Sequence, residues 1–234
     1  MHRILCHKLP DNSCLLDVLR RLGERARGVA VIDGATTEAA LRRMDAAGVR
    51  GVRVNLETRG QRDPAVAGEL LDRAASRAAR LNWHVQAYAS LSVLAALHDM
   101  ILTLPVPVVV DHFGTAPAAV GIAAPGFAAL LSLLRRGKIY VKLSAPYRIT
   151  ERADYTDAGP IARTLIEANP DRVVWGTDWP HPGGSPVVRR DSAQIEPFRP
   201  EDDGRALNRL RTWAAGEEQV RKILVETPAR LYDF

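Results

Sequence analysis

Cysteine, aromatic residues and long apolar runs are all scarce in this chain of 234 residues. The only cysteines, Cys6 and Cys14, lie near the start. A disulfide framework is therefore excluded, and a cytoplasmic location is expected. The longest uncharged stretch, 113–134, is interrupted by two prolines and is rich in alanine and glycine. It predicts a loop followed by a buried helix, and no membrane association.

A concentration of one charge sign is also missing. Thirty-two basic residues stand against 27 acidic ones, giving a net charge of +5, and the basic residues are scattered. This pattern is typical of a solvated surface. The chain also lacks a zinc finger, an RNA-binding aromatic pattern and a phosphate-binding glycine loop, so we expect no nucleic-acid partner.

Strand-like apolar runs alternate with amphipathic helices along most of the chain. This alternation predicts an α/β fold with a parallel sheet. No linker interrupts it, so residues 1–234 are expected to form a single domain. Strands are predicted at 28–33, 50–55, 83–88, 106–111, 138–143 and 171–176. Helices are predicted near 36–47, from Pro64 onward, near 90–100, from Pro125 to Gly137, near 160–168, near 201–215 and near 217–226.

Polar side chains gather where these strands end. An open doubly wound sheet binds its ligand at one switch point, whereas a barrel collects polar strand ends around one mouth. Polar ends on almost every strand therefore favour a (β/α) barrel. The residues concerned are Arg53, Asn55, His84, Gln86, Tyr88, Asp111, His112, Tyr140, Lys142, Ser144, Arg148 and Asp178.

Asp178 is the strongest catalytic candidate. It follows the apolar strand 171–176, where a carboxylate has no packing use, although a simple turn aspartate is the plainer alternative. A carboxylate can activate water as a general base, and His112 can polarise a carbonyl or move a proton. Arginines suit recognition of substrate carboxylates, although Arg53 could instead pair internally with Glu57 or Asp178.

Six segments in this order resemble the amidohydrolase superfamily, especially the branch that contains 2-pyrone-4,6-dicarboxylate lactonase. They are 27–33, 51–55, 110–114, 141–144, 175–182 and 227–232. The resemblance implies a TIM-barrel hydrolase in which Asp178 activates water against a lactone carbonyl and His112 faces the same carbonyl. It also implies that no divalent metal is needed. By the same resemblance Arg53, Arg59 and Arg148 hold substrate carboxylates, while Tyr88 and His181 line the pocket.

The chain departs from the superfamily at its front, where a first strand with a His-x-His pair is expected. Residues 1–10 are expected to be irregular or to form a substitute second strand. The predicted fold is therefore an incomplete (β/α)8 TIM-type barrel with six or seven parallel strands, lacking the first. By the same resemblance, we expect two of the superfamily's usual metal ligands to be missing. Homodimerisation through the open barrel edge is a further expectation.

Three functions remain open from the sequence. The first is a metal-independent hydrolase of a small carboxylated lactone or ester. The second is a metal-dependent hydrolase or decarboxylase, with zinc or manganese held by His112, Asp178 and His84. The third is an inactive, shortened binding or interaction module.

Overall fold

Seven parallel strands form one sheet in the described part of the chain. The computed structural model describes residues 2–5 through their backbone, and residues 11–182 and 197–234 with their side chains. The strands are β1 (His2–Leu5), β2 (Ala26–Ala30), β3 (Val49–Asn55), β4 (His84–Tyr88), β5 (Val108–Val110), β6 (Ile139–Leu143) and β7 (Val173–Trp175).

The strand order decides between a barrel and an open sheet. Each strand pairs in parallel with the next along the chain, in the order β1 to β7. A doubly wound sheet reverses its order at a switch point, and this sheet does not. The fold is an incomplete (β/α)8 TIM-type barrel. The sequence left open whether the barrel has six strands or seven. The seventh strand is present near the start of the chain as β1, which pairs with β2.

Helices connect the strands as the alternation predicts. They are α1 (Ser13–Leu22), α2 (Glu38–Ala46), α3 (Pro64–Ala79), α4 (Leu91–Ala96), α5 (His98–Thr103), α6 (Phe127–Arg135), α7 (Ala158–Ala168), α8 (Asp203–Trp213), α9 (Glu217–Arg221) and α10 (Thr227–Tyr232). A π-helical turn, Lys222–Glu226, joins α9 to α10. None of the helices in the described ranges is long and apolar enough to cross a membrane.

Local capping explains where several helices begin. The Asp63 side chain accepts a hydrogen bond from the backbone N–H of Ala65, and Pro64 takes the first helical position, as predicted. Two other predictions were wrong. The helix expected near 90–100 is broken at Leu97 into α4 and α5. Pro125 precedes α6 instead of lying in its first turn.

The C-terminal segment closes the amino-terminal end of the barrel. Tyr232 of α10 makes an edge contact with His84, the first residue of β4, with ring centroids 5.2 Å apart. Leu231 packs against an interior cluster of Val109, Tyr140 and Val174. Side chains therefore fill this end of the barrel, whereas the polar residues that follow the strands lie at the opposite, carboxyl-terminal end.

Candidate active site

Asp178 lies at the carboxyl end of the barrel, three residues beyond β7, with only 12% of its side chain exposed. Its Oδ2 accepts a hydrogen bond from the Tyr147 hydroxyl at 2.8 Å. The same oxygen accepts from Nη2 and Nε of Arg148 at 3.1 and 3.3 Å. Its Oδ1 lies 3.8 Å from Nε2 of His112. The two carboxylate oxygens therefore differ: one is held by donors and the other faces the imidazole.

These neighbours keep Asp178 ionised. Burial alone would raise the pKa of the carboxyl. The adjacent His112 and Arg148 and the hydrogen bond from Tyr147 outweigh burial and hold the pKa below its ordinary value. Asp178 is consequently a carboxylate at neutral pH, as a general base requires.

His112 follows β5 and is buried. Its Nδ1 lies 2.9 Å from the Ser144 hydroxyl oxygen and 3.3 Å from the Ser144 carbonyl oxygen. Because a carbonyl oxygen can only accept, a proton on Nδ1 satisfies both contacts and leaves Nε2 with a lone pair. Burial lowers the pKa of His112 from 6.5 to about 4, so the imidazole is neutral at neutral pH.

The backbone at both residues is unusual. His112 has a φ of 53° and Asp178 a φ of 69°. Left-handed backbone conformations are uncommon for residues other than glycine and cluster at functional sites. The backbone conformation and the side-chain contacts of His112 and Asp178 therefore indicate the same candidate site.

Tyr88 lies between two arginines. The guanidinium carbons of Arg53 and Arg148 lie 5.9 and 5.7 Å from the centre of its ring. The ring also contacts His112 edge-on, with centroids 4.9 Å apart. Burial raises the pKa of the Tyr88 phenol, which therefore stays protonated. These contacts join Tyr88 and both arginines to the Asp178–His112 pair.

A buried charge network lies beneath this pair. Asp111 accepts hydrogen bonds from Nη1 of Arg53 at 2.7 Å and from the Gln86 amide at 2.8 and 3.0 Å. It also pairs with the ammonium group of Lys142. Arg53 thus has an internal partner, as the alternative considered for it required, but that partner is neither Glu57 nor Asp178. Glu57 pairs with Arg62 instead, and Arg53 reaches the carboxylate that β5 presents inside the barrel.

The structure places Arg59 and His181 differently from the other candidates. Arg59 is exposed at the end of the turn Glu57–Arg59, where its backbone N–H donates to the Leu56 carbonyl oxygen, and its side chain makes no hydrogen bond or ion pair with any described residue. His181 is buried, and its backbone N–H donates to the Asp178 carbonyl oxygen at 2.8 Å. Its ring lies edge-on to Tyr147 with a centroid separation of 6.4 Å. His181 thus borders the site, whereas Arg59 stays outside it.

His84 does not extend the site towards a metal centre. It lies at the opposite end of β4 from Tyr88, packed against Gly51 and Tyr232. Among the described side chains, no group of three or more histidines, cysteines, aspartates or glutamates could hold a metal ion. A catalytic zinc usually has three protein ligands. His112 and Asp178 supply two, so the described donors do not fit such an ion.

Sequence reasoning missed Tyr147 as part of the site, and it did not foresee that Ser144 would contact His112. Arg148 was chosen from the same turn, but nothing in the local pattern separates a tyrosine that contacts a carboxylate from one that packs on the surface. Ser144 did carry a signal, because it shares a strand face with Lys142 and directly follows β6.

The chain is similar in sequence to two lactone hydrolases and to a lactone isomerase. The chain is 36% identical to a 2-pyrone-4,6-dicarboxylate hydrolase of Comamonas testosteroni, over 97% of this chain and 73% of the relative. It is 35% identical to a 4-sulfomuconolactone hydrolase of Hydrogenophaga intermedia, over 95% and 70%. It is 30% identical to a D-galactarolactone isomerase of Agrobacterium fabrum, over 95% and 72%.

Solved structures show the same fold. A probable 2-pyrone-4,6-dicarboxylic acid hydrolase of Acinetobacter baumannii, crystallised with citric acid, superposes with a TM-score of 0.80 at 24% identity, covering 99% of this chain and 82% of that one. The sequence profile of the amidohydrolase family matches residues 5–234. The chain therefore belongs to the amidohydrolase family and is a hydrolase by descent.

Proposed function

We propose that this protein hydrolyses a lactone of a small carboxylated compound, with Asp178 as the general base. The observation that carries the proposal is the asymmetry of the Asp178 carboxylate. Oδ2 is held by Tyr147 and Arg148, while Oδ1 faces Nε2 of His112 at 3.8 Å. Two acceptors at this separation suit one water molecule that donates one hydrogen bond to each of them.

The chemistry follows from that arrangement. As the water oxygen attacks the lactone carbonyl carbon, its proton passes to Oδ1 of Asp178. Collapse of the tetrahedral intermediate breaks the ring C–O bond, and Asp178 returns the proton to the departing oxygen. A neutral His112 that accepts through Nε2 helps to orient the water. This role differs from the carbonyl contact that the family resemblance implies.

A spare cationic donor supports a carboxylated substrate. Nε of Arg53 is buried and makes no hydrogen bond with the described residues. Arg148 donates to Asp178 through Nε and Nη2 and also interacts with Tyr88. Both groups flank Tyr88, so an anionic substituent bound here would place the attached ring next to Asp178. The two hydrolase relatives act on lactones whose names indicate acidic substituents.

The test uses purified protein and 2-pyrone-4,6-dicarboxylate, followed by loss of ring absorbance. We expect turnover that persists in a chelator, with no stoichiometric metal by elemental analysis. Asp178→Asn should lower kcat by about 10²–10⁴-fold with the fold retained, since it removes the base. The control is Asp171→Asn, because Asp171 is a carboxylate that lies two residues before β7, at the other end of that strand from Asp178. Full activity of Asp178→Asn would reject the assignment.

One relative favours a second candidate reaction. The isomerase of Agrobacterium fabrum is 30% identical, and a base beside a lactone could relocate the ring closure instead of opening the ring. Reaction in H₂¹⁸O separates the two outcomes, because hydrolysis places one ¹⁸O in the product carboxylate and isomerisation places none.

Three further expectations stay predictions: the single domain, the cytoplasmic location and the homodimer at the open barrel edge. Independence from metal is also a prediction. Zinc or manganese at one equivalent, with loss of activity on chelation, would support the metal-dependent alternative. Inactivity of the folded protein on all carboxylated lactones would favour the binding-module alternative.

A further inference from the structure

Tyr147 touches the proposed base directly, although neither its sequence context nor the family resemblance singled it out. It lies in the turn Pro146–Arg148 that follows β6. Its hydroxyl donates to Oδ2 of Asp178 at 2.8 Å, the shortest of the three side-chain hydrogen bonds that described residues donate to this carboxylate. The hydroxyl therefore contacts the oxygen that faces away from His112.

The phenol ring is fixed from several sides. The guanidinium carbon of Arg199 lies 4.6 Å from the ring centre, and that of Arg148 lies 5.3 Å from it. His181 contacts the ring nearly perpendicularly, at an angle of 80°. A ring that contacts two guanidinium groups and an imidazole has little rotational freedom. Its hydroxyl is therefore held in one position relative to the carboxylate.

The hydroxyl remains a donor throughout the working pH range. Burial, and after it the nearby Asp178 carboxylate, raises the pKa of Tyr147 well above its ordinary value. The phenol therefore keeps its proton. A neutral donor bonded to a carboxylate stabilises the charged form of the acid.

We propose that Tyr147 is the positioning residue of the base: it anchors Oδ2 of Asp178 so that Oδ1 is turned towards Nε2 of His112. This inference rests on the proposed function, in which Asp178 takes a proton from water. Arg148 alone would fix the charge of the carboxylate through two longer contacts of 3.1 and 3.3 Å. The shorter bond from Tyr147 adds a second direction and so defines the rotation of the carboxylate plane.

The decisive variant is Tyr147→Phe, which keeps the ring and its packing and removes only the hydroxyl. We expect kcat to fall about tenfold or more with KM little changed, since a hydrogen bond to a charged group is lost. The pKa of Asp178 should rise, because the carboxylate loses a donor. A purely structural role for the ring would leave that pKa in place.

Tyr155→Phe is the matched control. Tyr155 also donates to a carboxylate, Oε1 of Glu201, at 2.6 Å, and it also lies beneath an arginine, Arg209, at 4.7 Å. It has no contact with Asp178. We expect its kcat and pH profile to match those of the parent protein. An equal effect of both substitutions would overturn the proposal.

A measurement without substrate separates this inference from the proposed function. The carboxyl carbon of Asp178, labelled with ¹³C and assigned by its loss in Asp178→Asn, reports the pKa of the base directly. That pKa should rise in Tyr147→Phe. It should fall when 3-fluorotyrosine, a stronger donor of nearly the same shape, replaces Tyr147. An unchanged pKa in both proteins refutes the role of Tyr147.

The two failures are therefore distinguishable. If Asp178→Asn remains active while the ¹³C shifts move as expected, the proposed function fails and the contact between Tyr147 and Asp178 stands. If Asp178→Asn is inactive while Tyr147→Phe keeps the parental kcat, pH profile and ¹³C titration, the positioning role fails and the hydrolase remains.

Discussion

Acid should destabilise this protein through one buried imidazole. Burial lowers the pKa of His112 to about 4 in the folded chain, whereas an unfolded chain has the ordinary value of 6.5. As pH falls below 6.5, the unfolded state binds a proton that the folded state does not. The contribution to stability is therefore complete above pH 6.5 and is lost as pH falls towards 4.

The size of the effect follows from the separation of the two pKa values. One pKa unit corresponds to about 1.4 kcal/mol, so the full loss is about 3 kcal/mol once the pH is below both values. At pH 5 most of the unfolded chain has bound the proton while the folded chain has not. The loss between pH 7 and pH 5 is then about 2 kcal/mol.

The perturbation that tests this is His112→Gln, which keeps a polar side chain and removes the titration. Urea unfolding at pH 7 and at pH 5 gives the free energy of unfolding of the parent and the variant. The parent should lose about 2 kcal/mol more than the variant between these values. In the parent, Asp178 stays ionised over this pH range, because its pKa lies below its ordinary value.

His98→Gln controls for the loss of an imidazole as such, since His98 bridges Asp99 and Ser132 away from the barrel mouth. An equal loss of stability in the parent and in His112→Gln between pH 7 and pH 5 would refute the reasoning. It would mean that the imidazole is not held neutral by burial.

Two further substitutions test the interior of the barrel. Asp111→Asn leaves the buried Arg53 and Lys142 without their carboxylate and should lower the free energy of unfolding by about 3–5 kcal/mol. Adding Lys142→Met removes one of the unpaired cations and should recover part of that loss. Absence of any recovery would contradict the pairing. Gly51→Ala places a methyl group 2.5 Å from the His84 ring and should lower the free energy of unfolding by about 1–3 kcal/mol. Gly34→Ala is the control, because a methyl group there meets open space. Equal thermal unfolding of the two variants would contradict the packing.

Local pattern was sufficient for much of the fold. The apolar runs predicted the strands from β3 to β7 to within two residues, because a strand buried on both faces needs continuous apolar side chains. The break at Leu97 was not predictable in the same way. Its neighbours carry a helical pattern on both sides, and the interruption depends on how α4 and α5 pack.

The candidate site also has features that local sequence predicted and features that it did not. The sequence indicated Asp178 and His112 because strand ends are local features, and the structure brings their side chains within 3.8 Å. It did not identify the partner of Arg53. Glu57 is near in the chain, yet the guanidinium reaches Asp111, 58 residues away. Arg59, although close to Arg53 in sequence, follows the turn outward to solvent.

The sequence by itself determined that strands and helices alternate and that polar residues end the strands, since both depend on spacing within a few residues. Only the tertiary structure decided which donor meets which acceptor. Tyr147 and Asp178 are 31 residues apart and meet because β6 and β7 pair side by side. That pairing directs their loops to one end of the barrel, where distances of a few tenths of an ångström decide which oxygen is held and which remains available for the reaction.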